Sequence, residues 1–217
     1  MIWPVVLVAL AYLIGSIPFS FLVAKFFAGK DVRAEGSGNV GATNVARTAG
    51  RWAGLLALAL DIVKGYAAVA IARWVVAQEA WPFQPGLAPW ESREGWIALA
   101  GLIAVLAHMF PVWLRFHGGK GVATAAGVIV ALDPIVLAGA ILVFAIVLLA
   151  FRYVSLASIV TAASVPLLFR FLAVDAPFWR IVASFVFSLA VIIKHHSNIS
   201  RIVQGTERKL GQKRDAS

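Results

Sequence analysis

The sequence predicts an all-α fold: a polytopic membrane helical bundle of about seven transmembrane helices with a short fourth helix, formed by a single integral-membrane domain, residues 1–217. Three observations carry this expectation. Hydrophobic residues make up 61% of the chain and charged residues only 13%, with a mean hydropathy of +0.89, far from soluble-domain usage. Apolar runs approaching the ~20 residues needed to cross a bilayer recur along the whole length. Basic residues gather in alternate connections, the bias that orients membrane proteins. No internal repeat is visible, and without cysteine there is neither disulfide nor thiolate chemistry. A net charge of +9 favours anionic lipid or an anionic substrate over nucleic acid, for which no module is present.

Residues 2–27 are apolar up to Lys25 and lack the basic start of a secretory signal, so they read as a retained first helix with a kink at Pro18. A polar loop follows over residues 29–50. Residues 52–76 form the second helix, with Asp61 and Lys64 at its middle, three apart and on one face. Two ionisable groups at that depth pair with each other or face a polar interior rather than lipid. A buried bracing pair and a direct substrate contact both remain open.

Residues 78–95 form an irregular connection, because Pro82, Pro85 and Pro89 forbid a continuous helix, and Trp81, Trp90 and Trp96 suit an interfacial aromatic belt. The third span covers residues 96–113. Residues 122–132 supply a run that, at ~1.5 Å per residue, covers about half of the hydrocarbon thickness. Asp133-Pro134 is a turn signal, so the preferred reading dips residues 118–121 into the membrane ahead of a short fourth helix. One long helix over residues 122–151, kinked at Pro134, is the alternative. Spans five to seven cover residues 135–151, 156–174 and 178–193, and the tail from Lys194 is polar and basic.

Seven spans bring the ends of helices one, three, five and seven to one side. That side collects fourteen basic residues (Lys25, Lys30, Arg33, Arg47, Arg51, Arg115, Lys120, Arg152, Lys194, Arg201, Arg208, Lys209, Lys213 and Arg214), against four on the other (Arg73, Arg93, Arg170 and Arg180). The asymmetry predicts a cytoplasmic motif face and C-terminus, with the N-terminus outside.

Three polar stretches converge on that face. In residues 36–47, Gly36, Gly38 and Gly41 free the backbone to approach a ligand, Ser37, Asn39, Thr43 and Asn44 offer neutral hydrogen bonds, and Arg47 supplies a forked charge suited to phosphate. A plain interhelical loop is the alternative. Gly118, Gly119, Lys120 and Gly121 make a second anion site of backbone N–H groups and a lysine at a helix start. This is no nucleotide-triphosphate loop, since Leu114 and Gly121 stand where that pattern needs a glycine and a hydroxyl residue. In the tail, His195, Asn198 and Arg201 are spaced by three, so a helical continuation aligns them for phosphate binding or proton transfer; a capped helix end is the alternative. The four histidines come without a nearby carboxylate cluster, so no metal and no cofactor are expected. A His-x-x-x-x-Asp signature and a Gly-x-Ser-x-Gly elbow are both absent from the sequence.

The runs GSGNVGATNVAR (residues 36–47), HMFPVWLRFHGGKGVAT (108–124) and HHSNISRIVQGTE (195–207) resemble the three signature motifs of the bacterial acyl-phosphate:glycerol-3-phosphate acyltransferase (PlsY) family, and DIVKG (61–65) is similar to its second helix. The resemblance covers essentially the whole chain. It implies transfer of a fatty acyl group from long-chain acyl-phosphate to the 1-hydroxyl of glycerol-3-phosphate, in the bacterial inner membrane and without a cofactor. It further implies reacting-group or phosphate contacts from Ser37, Arg47 and Lys120, a tail contribution from His195 and Asn198, and a further contact from Ser155. The glycines at 118, 119 and 121 would cradle the acyl-phosphate, and Gly36, Gly38, Asn39, Thr43, Asn44, Thr124 and Arg201 complete the expected substrate contacts. A monomer is expected. The competing class is a transporter of small phosphorylated or anionic solutes, for which Asp61 and Lys64 are the best support.

Overall fold

The computed structural model of the protein describes residues 2–78, 81 and 92–212, and those residues form ten α-helices with no strand. The first span is divided into α1 (Ile2–Ser16) and α2 (Phe19–Ala28). The kink expected at Pro18 is present as a two-residue interruption within one apolar span: proline lacks an N–H and forces the preceding residue away from helical geometry. The carbonyl of Ile17, freed at this break, accepts a hydrogen bond from Lys64 Nζ at 2.7 Å. Part of the connection expected as loop folds into α3 (Ala42–Thr48), which is pinned by the fully buried Val45. It lies so close to the next helix that a Cβ at Gly54 would meet Ala46 Cα at 2.7 Å.

Helix α4 (Arg51–Ala77) carries Asp61 and Lys64, and α5 (Arg93–Met109) is the most enclosed of the long spans. The short fourth span is present as α6 (Val122–Leu132), separate from α7 (Pro134–Phe151). Asp133 makes the break: its Oδ1 accepts from the backbone N–H groups of Ile135 and Val136 at 2.9 and 3.1 Å, capping α7 with Pro134 in its first turn. A helix that stops short inside a bilayer leaves carbonyls in need of donors. Arg180 Nη1 supplies one to Leu132 O at 3.1 Å, while the same guanidinium pairs with Glu94 at 2.7 Å. Helix α6 also lies tight against α4. A Cβ at Gly127 would sit 1.9 Å from Ile62 O, and one at Gly65 2.2 Å from Thr124 O, so glycine is what permits this approach.

Helices α8 (Val154–Leu172) and α9 (Phe178–Lys194) complete the bundle, and α10 (His196–Val203) bends away from α9 by 54°. Among the described residues, five helical segments, with α1 and α2 taken together as one, are long and apolar enough to span a membrane, six if α9 and α10 count as one bent span; α6 is a further, short element. One apolar core runs through α1 and α4 to α9, and a smaller one, including Val32, Val40, Val45 and Leu114, lies beneath the first motif loop. In the 78–95 connection, Trp81 packs edge-on against Trp96 with ring centres 5.6 Å apart, while Pro82, Pro85, Pro89 and Trp90 lie outside the described residues.

Candidate active site

The first motif loop is shaped by one side chain. Buried Asn44 donates through Nδ2 to the carbonyls of Val32, Glu35 and Asn39 at 2.9, 3.0 and 3.1 Å, and its Oδ1 accepts from Ser37 N–H at 2.9 Å. Its amide thus holds the loop in shape. Gly36 and Gly38 both take positive φ (62° and 70°), and a Cβ on Gly36 would lie 2.2 Å from Asn44 Oδ1. Around this staple Gly36, Ser37, Gly38, Thr43 and Arg47 are exposed, and Asn39 is half-buried.

The second motif is zipped onto the end of α5: Gly118 N–H donates to Met109 O at 3.1 Å and Gly119 N–H to His108 O at 3.2 Å. Neither position tolerates a side chain, since a Cβ would meet His108 O at 2.1 Å and Val40 O at 2.3 Å respectively. The second of these contacts joins the two motif loops. Gly121, at φ 83°, turns the chain into α6. Thr124 is fully buried against α4, its hydroxyl without a hydrogen-bond partner among the described residues.

Lys120 reaches across to α10, donating through Nζ to Asn198 Oδ1. Asn198 Nδ2 donates to Glu207 Oε1 at 2.6 Å, Ser155 Oγ donates to the same oxygen at 2.7 Å, and Arg201 Nε donates to Glu207 Oε2 at 2.7 Å. Arg47 lies within the electrostatic reach of Arg208, Glu207 and Arg201. The structure therefore brings Arg47, Lys120, Ser155, Asn198 and Arg201 together, and it adds a member that sequence reasoning missed. Glu207 is the hub. Its only signal in the sequence was its place at the end of the third motif, as a lone carboxylate in a basic tail.

One carboxylate does not balance this many cations. Burial, then Arg201, Arg47 and Lys194, push the Lys120 ammonium down to about 8, with Glu207 opposing. For Glu207, burial would raise the carboxyl, but hydrogen bonds from Ser155, Asn198 and Arg201 hold it below its ordinary value. His195 is buried, and its Nδ1 lies 2.8 Å from Val191 O. A carbonyl can only accept, so Nδ1 carries the proton and Nε2 keeps its lone pair. Burial pushes this imidazole down to about 4, with the Lys120 charge adding to the effect and Glu207 opposing it.

An apolar groove with about 590 Å³ of free space, its open mouth included, begins beside this cluster. Val122, Ile129, Phe144, Val165, Phe187 and Val191, from α6 to α9, are among its lining. Val122 lies two residues beyond Lys120, and Val191 is the residue to which His195 is hydrogen-bonded. A cationic pocket beside an apolar groove suits a molecule with a phosphate at one end and a hydrocarbon tail at the other.

Beneath the Gly118-Gly119 turn lies a second polar group, closed to solvent. Asp61 Oδ1 is 2.7 Å from Lys64 Nζ and 3.5 Å from His108 Nδ1, while Ser20 Oγ donates to Asp61 Oδ2 at 2.8 Å. All four side chains are buried.

Residues 5–205 match the family described as Glycerol-3-phosphate acyltransferase. The chain belongs to that family. Glycerol-3-phosphate acyltransferases of Trichlorobacter lovleyi and Staphylococcus aureus are 45% and 43% identical to it, over 93% and 95% of this chain and 95% and 97% of their own. The fold is that of the family too. The glycerol 3-phosphate form of PlsY (YgiH), an integral membrane glycerol 3-phosphate acyltransferase, superposes with a TM-score of 0.82 at 40% identity over 96% of both chains. The lysophosphatidic acid form of the same enzyme superposes at 0.80 and 38%, over 96% of this chain and 95% of that one.

Proposed function

We propose that this protein transfers a fatty acyl group from acyl-phosphate to the 1-hydroxyl of glycerol-3-phosphate, releasing lysophosphatidate and phosphate at the cytoplasmic face of the bacterial inner membrane. The observation that carries the reading is the junction of the two environments: Arg47, Lys120, Asn198 and Arg201 around one carboxylate, next to a groove lined by α6 to α9. Both substrates carry phosphate and one carries a long tail, which accounts for an excess of cations beside an apolar channel. The protein acts as a monomer with its N-terminus outside.

In this reading Arg47 and Lys120 offset phosphate charge, and the backbone around Gly118, Gly119 and Gly121 cradles the donor. Ser37, Ser155 and Asn198 orient the acceptor beside it, where proximity alone lowers the barrier by several kcal/mol. The acceptor 1-hydroxyl oxygen attacks the acyl carbon, the bond from that carbon to the phosphate oxygen breaks, and the hydroxyl proton passes to the departing phosphate. His195 is a poor base for this step, because an imidazole at about 4 takes up little proton at neutral pH. It serves instead as a neutral acceptor that holds the hydroxyl through Nε2.

The test offers labelled glycerol-3-phosphate to detergent-purified protein with acyl-phosphate, acyl-CoA and acyl-carrier protein in separate reactions. Labelled lysophosphatidate is expected only with acyl-phosphate. Product from a thioester would overturn the donor, and counterflow of glycerol-3-phosphate across proteoliposomes without any donor would favour transport. A stable acyl group left on the protein would overturn direct transfer.

A further inference from the structure

The buried group on α2, α4 and α5 has no direct part in the chemistry above, yet it lies against the turn that carries Lys120. The His108 ring is held between two partners. On one side Asp61 Oδ1 is 3.5 Å from Nδ1. On the other, a Cβ at Gly119 would come within 2.2 Å of Nε2, so ring and turn are in contact. The same residue's carbonyl accepts from Gly119 N–H at 3.2 Å. Asp61 is in turn fixed by Lys64 and Ser20, and Lys64 by the Ile17 carbonyl at the α1–α2 break. These groups share one small, tight pocket, bordered by Asp61, Lys64, His108, Val40, Gly118 and Gly119. The Lys120 backbone therefore rests on a polar support reaching back to the first span.

We propose that His108, supported by Asp61 and Lys64, is a positioning residue for the transfer reaction: its ring sets the Gly118-Gly119 turn so that Lys120 meets the substrate phosphate. The inference rests on the reading of Lys120 as a phosphate contact. Burying three ionisable groups is costly, and a bundle needing only stability would be served as well by apolar side chains of similar volume. What apolar packing does not provide is a directional hold on a glycine turn.

The deciding experiment is a double-mutant cycle between His108→Leu and Lys120→Met, read by kcat/KM and, separately, by calorimetric binding of glycerol-3-phosphate and of a non-hydrolysable acyl phosphonate. If His108 acts through Lys120, His108→Leu lowers kcat/KM roughly 10- to 100-fold in the wild-type background, no more than loss of Lys120 itself and up to the scale of loss from an ångström of misplacement. In the Lys120→Met background it lowers the rate less than about 3-fold, which is near additivity error. His108→Asn, which retains a donor toward Asp61, recovers most of the activity. Equal losses in both backgrounds, or an Asn variant as poor as the Leu variant, would overturn the proposal. If His108→Leu does not fold, the cycle is run with Asp61→Asn/Lys64→Met in its place under the same additivity criterion. Should the wild type make no lysophosphatidate, the donor reading fails, while the binding cycle still decides the positioning role.

Discussion

Two polar clusters lie on opposite sides of the same glycine turn, and they are built on opposite principles. The deep one, Asp61 with Lys64, Ser20 and His108, is almost closed in charge and in hydrogen bonding: each side chain has its partner, and all are shut away from solvent. The upper one, Arg47, Lys120 and Arg201 around Glu207, is open and cationic in excess. A closed set resists change, whereas an excess of like charge awaits an anion. The difference separates what holds the site from what the site holds.

The sharpest way to break the contrast is in the deep cluster. Lys64→Met strands Asp61 in the interior, and removing one partner of a buried pair costs about 3–5 kcal/mol. Thermal unfolding in detergent is expected to show a large drop, with Asp61→Asn/Lys64→Met recovering most of it. A single variant as stable as the wild type would mean that the pair is not a brace.

The reverse behaviour is expected above the turn. Lys120→Met removes a charge-assisted contact worth about 1.5–3 kcal/mol to a bound phosphate, so kcat/KM falls roughly 10- to 100-fold while the unfolding temperature changes little or rises. A falling unfolding temperature with normal turnover would exchange the roles of the two clusters.

The pH response sharpens the same point. A lysine at about 8 is charged below that value and neutral above it. Phosphate binding should therefore weaken as pH climbs through 8, seen as a rising KM, and Lys120→Arg, whose guanidinium stays charged, should flatten the rise. The smallest effect belongs to His195. With its imidazole held at about 4, the rate profile should show no inflection near pH 6.5 that disappears in His195→Gln. Finding one would place a titrating histidine in the mechanism.

How much of this was legible in the sequence varied with the range of the forces involved. The end of α6 was readable because Asp133 and Pro134 act on their immediate neighbours, as the bonds to Ile135 and Val136 show. The kink at Pro18 was legible because proline acts on its own neighbours, but its tie to Lys64, 47 positions along the chain at the Ile17 carbonyl, was not. The α3 turn read as loop because Ala-Thr-Asn-Val-Ala-Arg-Thr has little helical signal of its own; burial of Val45 and the close pass of Ala46 by Gly54 settle it. The Asp61–Lys64 pair was visible from spacing, but not its third partner, since His108 is brought in by packing between α4 and α5. Glu207 was hidden for the same reason: Ser155, which donates to it, lies 52 positions away.

One consequence follows from the stature of α6. It has 11 residues and its neighbour α7 has 18, and both start from the same corner at Asp133, so at 1.5 Å per residue Gly121 falls ~10 Å short of the height α7 attains. The glycine turn that carries Lys120 is therefore held on a step in the protein, below the height of its neighbour and beside the apolar groove.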